Sequence, residues 1–125
     1  MKIYVTHSRE MDYEKDLYLP IRQSPLNAQH EFVLPHEERA TPFNSRDSIL
    51  GKDLGLIIAE VSTKSTSQGI ELGWANVADT PIAFIYKPNT KLPNSLKIVS
   101  KTFIEYANPE QLIEGIEKAI REIKH

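Results

Sequence analysis

The chain has no cysteine among its 125 residues. That excludes disulfides, thiolate metal sites and a cysteine nucleophile, and it fits a reducing compartment. Neither sign of charge is in excess: 15 Lys and Arg stand against 17 Asp and Glu, interspersed, for a formal net charge of −2. There is no basic field of the kind that follows a nucleic-acid polymer or an anionic membrane, so any phosphate bound must belong to a small molecule. Long apolar runs are also missing. The most apolar stretch, Leu54-Gly55-Leu56-Ile57-Ile58-Ala59, is far too short to span a membrane, and the run from Lys2 is strand-like, with no signal-peptide core. A soluble, cytoplasmic protein is expected. Neither G-x-G-x-x-G nor G-x-x-x-x-G-K-[ST] occurs, which removes the dinucleotide fingerprint and the P-loop. His7, His30, His36 and His125 lack close ligand spacing, so neither a metal nor another cofactor is expected.

What is present reads as one α/β domain over residues 1–125. A hydrophobic fraction of 40% with 26% charged residues is enough for one ordinary core. Lys2-Ile3-Tyr4-Val5-Thr6 is a β-branched and aromatic run that the polar His7-Ser8-Arg9 ends, hence a strand and a loop. Asp12 can cap a helix with Tyr13, Leu17 and Ile21 on one face, which Pro20 should kink or end. Glu31-Phe32-Val33-Leu34 is a second strand before Pro35, and residues 36–43 form a proline-punctuated loop. Asn44 or Ser45 can cap a short helix through Lys52, which leads into the buried strand Leu54–Ala59. A hydroxyl-rich link, Ser62–Gln68, precedes a helix over Gly69–Val77. Pro81–Tyr86 is the fourth strand, Lys87–Asn94 a loop, and Thr102–Tyr106 the fifth strand.

The last helix is marked most fully, by Asn108 as cap, Pro109 at the first helical position and Gln111 completing a capping box. Leu112, Ile113, Ile116, Ala119, Ile120 and Ile123 then form one apolar stripe. Strands alternating with helices predict a flavodoxin-like or Rossmann-like, five-stranded, mostly parallel sheet with helices on both faces. Ligands of such sheets bind at the carboxyl ends of the strands, which here means residues 6–12, 35–45, 60–71 and 86–95.

The informative segment joins the third strand to the following helix: Ala59-Glu60-Val61-Ser62-Thr63-Lys64-Ser65-Thr66-Ser67-Gln68-Gly69-Ile70-Glu71-Leu72-Gly73. Its amides, its hydroxyls and the positive end of the helix dipole can seat a phosphate. Glu71 is placed in the first turn of that helix, where the dipole keeps a carboxylate ionised and therefore nucleophilic. The plain alternative is a carboxylate that only favours its helix, behind a hydroxyl that only caps it.

This segment resembles the signature of the nucleoside 2-deoxyribosyltransferase superfamily, most closely its 2′-deoxynucleoside 5′-phosphate N-hydrolase branch. The matching residues are Ala59-Glu60-Val61, Ser65 and Gly69-Ile70-Glu71-Leu72-Gly73, with Ile70 in place of an aromatic, together with Asp47 upstream and Tyr4 and Ser8 near the N-terminus. The resemblance implies that Glu71 attacks the sugar carbon through an oxocarbenium-like transition state, forming a covalent glycosyl ester as retaining glycosidases do. It gives Asp47 the task of assisting departure of the base, Tyr4 that of holding Glu71, and Ser8, Arg9 and Ser65 that of binding the 5′-phosphate, with Gly69 a further substrate-binding position. A hydroxyl at Ser65, where transferases acting on free nucleosides carry a carboxylate, favours the nucleotide hydrolase, since a carboxylate would repel phosphate. Exchange of bases between nucleosides, or a catalytically silent nucleotide-binding module, are the alternatives.

Three departures accompany the match. Gly55 stands where an aspartate is usual, Ser67-Gln68 replaces a small apolar pair, and His7 replaces a glycine in the first phosphate loop, where it can narrow the pocket or touch the ligand. His36 and Glu37 are candidates to line the base pocket, with solvation as their plain reading. Trp74 and Ala75 read as packing or subunit-contact residues, and the resemblance implies a homodimer or higher homo-oligomer.

Overall fold

The computed structural model describes residues 1–38, 43–51 and 53–123. The expected loop residues 39–42, the expected helix end at Lys52, and His125 lie outside them. Five strands form one sheet: β1 (Lys2–Thr6), β2 (Glu31–Val33), β3 (Leu56–Glu60), β4 (Ile82–Tyr86) and β5 (Phe103–Glu105). Their order is β2-β1-β3-β4-β5 and every neighbouring pair is parallel, so the sheet is wholly rather than mostly parallel. This is the flavodoxin-like order, and its topological switch point lies between β1 and β3.

Alternation along the strands divides the core in two. Ile3, Val5, Leu56, Ile58, Ala83 and Ile85 face one layer. That layer holds a π-helical turn (Glu14–Tyr18) continuing into α1 (Leu19–Gln23), then α2 (Leu26–Gln29) and α6 (Pro109–Ile123). Tyr4, Ile57, Ala59, Ile82 and Phe84 face the other layer, made of α3 (Ser45–Leu50), α4 (Thr66–Val77) and α5 (Leu96–Val99). Helices therefore cover both faces, as the near-continuous apolar runs of β3 and β4 require.

Three local departures from the sequence reading have physical causes. Pro20 does not end the first helix; it is the second residue of α1, and the turn before it is wound as a π-helix, with the Leu19 N–H donating to the Glu14 carbonyl. The wider winding suits a proline, which has no N–H to give a carbonyl four residues back. α4 begins at Thr66 rather than Gly69, because Ser65 caps it: its Oγ accepts from the Gln68 N–H at 3.2 Å. Glu71 accordingly sits in the second turn, where the dipole acts less strongly than in the first. The single-turn helices α2 and α5 carry no capping side chain, and nothing in their composition announces them.

α6 begins as its caps predict, with the Gln111 N–H donating to Asn108 Oδ1 at 2.9 Å. The return bond from the Gln111 side chain goes to the Ala107 N–H at 2.7 Å, one residue ahead of the cap. Gly115 lets this helix approach β5 closely, since a Cβ there would stand 2.7 Å from Ile104 Cγ2.

Candidate active site

Tyr4 and Thr6 lie two residues apart on β1 and so face the same side of the sheet, toward α4. Both are buried, and both donate to one carboxylate on α4. Tyr4 Oη stands 2.7 Å from Glu71 Oε1, and Thr6 Oγ1 stands 2.9 Å from Glu71 Oε2. Glu71 is half-buried and turned onto the carboxyl end of β1, at the switch point. Burial and then the charge of Glu71 push the Tyr4 phenol far above its ordinary value, so it acts as a neutral donor.

The loop after β1 brings the next residues beside this pair. His7 is buried and both ring nitrogens are engaged: Nδ1 is 2.9 Å from the Ser8 carbonyl oxygen and Nε2 is 2.7 Å from the Tyr18 hydroxyl. Tyr18 in turn accepts from the His36 N–H at 3.1 Å. The arrangement fits a neutral imidazole that donates from Nδ1 and accepts at Nε2. Burial pushes its pKa down to about 4. Tyr13 stacks on His7 with ring centres 4.6 Å apart, and His36 meets it edge-on at 5.4 Å. The π-turn makes this cluster: residues five apart point the same way in a π-helix, so Tyr13 and Tyr18 both reach His7. His7 is thus an internal strut, its ring packed among neighbours and both its nitrogens engaged within the protein.

His36 is half-buried beyond β2, and its pKa is lowered first by burial and next by Arg9, with Glu71 acting the opposite way. Arg9, Glu71 and His36 therefore share one electrostatic neighbourhood, built from the loops that follow β1 and β2 and from α4. Arg9 is exposed and makes no ion pair with a described residue. Ser8 is buried, and its Oγ accepts from the Glu10 N–H at 3.1 Å, shaping the turn that presents Arg9. Glu37 does not join this group. Arg22 takes both its oxygens at 2.8 Å and also donates to the Phe32 carbonyl and Asn27, which holds the loop carrying His36. The guanidinium keeps the Glu37 carboxyl below the usual range.

The other expected residues make no hydrogen bond to Glu71. Asp47 is exposed in the first turn of α3, with its Oδ2 accepting from Asn44 Nδ2 at 3.0 Å. The hydroxyls of Tyr4 and Thr6 are the only hydrogen-bond donors to Glu71 among the described residues. Ser65 caps α4 and borders a cavity of about 590 Å³ that runs between the β3–α4 link and the loop after β4, lined also by Lys64, Gly69 and Lys91. Glu71 is not on that lining. The Gly69 N–H is bonded to the Ser65 carbonyl at 3.1 Å, so it is not open to a phosphate; the first-turn amides left for one are those of Thr66 and Ser67.

Two of the departures are structural. Gly55 lies at the amino end of β3, the opposite rim from Glu71, against the Met1 side chain; a Cβ there would meet it at 3.2 Å. Gln68 is buried, and its Nε2 donates to the Glu60 carbonyl at 2.7 Å, joining the first turn of α4 to the end of β3. Glu60 itself is 1% exposed and accepts from the Ser62 N–H, the Ser62 hydroxyl and the Tyr106 hydroxyl. It shapes the link rather than facing a ligand. Thr6 escaped the sequence reading, although its place two residues beyond Tyr4 on a strand was the available signal.

The fold and this carboxylate at its switch point define the class: an all-parallel, flavodoxin-ordered α/β protein with a polar site at the carboxyl ends of β1 and β3. No family model matches the chain, and no curated protein matches it. Among solved structures it is similar to a CMP N-glycosidase from Clostridium botulinum, BcmB, at 19% identity and a TM-score of 0.63, covering 94% of this chain and 99% of that one. The two share a fold along almost their whole lengths. A putative pilus assembly-related protein from Burkholderia pseudomallei matches at 9% identity and a TM-score of 0.46, too slight a likeness to bear on function.

Proposed function

We propose that the chain is an N-glycosidase that cleaves the base–sugar bond of a nucleoside 5′-monophosphate, with Glu71 as nucleophile. The observation that carries this reading is the Glu71 carboxylate held by Tyr4 and Thr6 at the switch point, where ligands of such sheets bind. The residue resemblance around positions 59–73 and the fold shared with a CMP N-glycosidase support it.

In this reading a Glu71 oxygen bonds to the anomeric carbon as the C–N bond breaks and the base leaves with the electron pair. The base takes a proton, which the resemblance assigns to Asp47. Water then adds to the anomeric carbon of the ester, loses its proton, and releases sugar 5-phosphate with Glu71 again a carboxylate. Asn44 occupies Asp47 Oδ2, which leaves Oδ1 for the leaving base. Arg9, exposed beside His36, is a cation available to the phosphate, and its planar fork suits one. The half-buried rings of Tyr13 and His36, 5.7 Å apart, are the aromatic surface this reading offers to a base.

The resemblance also implies a homodimer, and Ile70 and Val77 of α4 are exposed apolar side chains that such a contact would bury. Sedimentation at the mass of one chain would remove that part of the reading.

The test is release of free base from a panel of ribo- and deoxyribonucleoside 5′-monophosphates, CMP included, followed by chromatography. Release by the wild type, lost in Glu71→Gln, is expected. Equal release by Glu71→Gln overturns the assignment, and faster turnover on adding a second base shifts it to transfer.

A further inference from the structure

We propose that Thr6 is a positioning residue for Glu71, holding the plane of its carboxylate for attack. The inference rests on the glycosidase reading above and goes beyond it, since the resemblance assigns no part to position 6.

A glutamate carboxylate turns almost freely about its last torsion. One donor on one oxygen tethers it without fixing that rotation. Here the two oxygens have separate donors, Tyr4 at 2.7 Å and Thr6 at 2.9 Å, spaced by two residues of a single strand. Two anchors on one rigid element define the carboxylate plane. The donors are rigid themselves: Thr6 is 1% exposed and β-branched, with a restricted first torsion, and Tyr4 is wholly buried. Thr6 is also paired in register with Ala59 of β3, so its hydroxyl is anchored from both central strands.

The consequence is directional. With a lone pair of each oxygen committed toward β1, the remaining lone pairs are the ones left for a sugar in the glycosidase reading. Thr6 is the last residue of β1 and Tyr4 lies deeper, so the Thr6-bound oxygen, Oε2, is the one nearer the strand end. In the ester one oxygen bonds to carbon and accepts poorly, while the other keeps its hydroxyl donor. Two donors thus hold the attacking state and at least one holds the intermediate, and the carboxylate need not be re-oriented between the steps. A group preset in this way contributes to the chemical step rather than to substrate binding.

The experiment compares Thr6→Val, which keeps shape and removes the hydroxyl, with Thr6→Ser, which keeps the hydroxyl, on the nucleotide the wild type turns over. The expected result is a fall in kcat of about tenfold to a hundredfold for Thr6→Val with KM changed less than about threefold, and kcat within about threefold of wild type for Thr6→Ser. Thr6→Ala should match Thr6→Val, and serves in its place if that variant does not fold. If kcat of Thr6→Val equals wild type, or Thr6→Ser is as slow as Thr6→Val, the positioning role is wrong while loss of activity in Glu71→Gln leaves the glycosidase reading standing. Absence of turnover by the wild type across the panel overturns both.

Discussion

His7 Nε2 lies 2.7 Å from the Tyr18 hydroxyl, inside a cluster that also contains Tyr13 and His36. Tyr18 passes the connection on, because it accepts from the His36 N–H. The ends of β1 and β2 are thereby joined through two side chains, and the join works only while His7 accepts a hydrogen bond. Protonating it would place a second donor against Tyr18 and a charge in a dry setting.

The join should make the protein acid-sensitive over a defined range. His7 titrates near its ordinary 6.5 when unfolded and at about 4 when folded, so between those values the unfolded chain binds the extra proton. Its contribution is intact above pH 6.5, declines as the pH falls, and is fully lost once the pH is below 4. The total is about 3 kcal/mol at most. Urea midpoints taken from pH 7 to pH 4.5 should fall more steeply for the wild type than for His7→Gln, and parallel slopes would show that His7 is not the group responsible.

Tyr4→Phe keeps the buried ring and removes one donor from Glu71. A hydrogen bond to a charged group contributes roughly 1.5–3 kcal/mol, so kcat should drop about tenfold to a hundredfold with little change in Tm. Base-release kinetics beside a melting curve check it; an unchanged kcat would show that the phenol does not serve the carboxylate.

Gly115→Ala sets two effects against each other. Alanine is the better helix former by about 1 kcal/mol. Its methyl would stand 2.7 Å from Ile104 Cγ2, a stiff β-branched group at the α6–β5 contact. Overpacking of this kind costs about 1–3 kcal/mol or more, so the net change should be destabilising and Tm should fall by several degrees. A raised Tm would mean that β5 yields without cost.

The architecture was legible because its signals are periodic. The strands fall within two residues of their expected bounds, since β-branched and apolar runs between polar breaks have few other readings. What escaped was aperiodic. A π-turn rotates Tyr18 onto the face of Tyr13, which an i, i+4 pattern does not show, and so His7 read as a loop residue instead of a buried one. Gln68 read as half of a pair replacing two small apolar residues, and its amide answers a main-chain carbonyl at the end of β3. The nearness of Tyr4 and Glu71 came from resemblance, because no local pattern links residues 67 apart. Thr6 bears on the same carboxylate and was passed over as an ordinary strand residue.

That separation also bears on how the molecule assembles. The two bonds on Glu71 close chain segments of 67 and 65 residues, and β1 is separated along the chain from its neighbour β3 by β2 and α3. Closing so long a segment is a late and entropically costly event in folding. Helical signal from α6, whose capping and backbone hydrogen bonds are local to its own segment, can therefore be recovered in a refolding chain before any turnover is, and the lag between the two would time the docking of the first strand against the middle of the sheet.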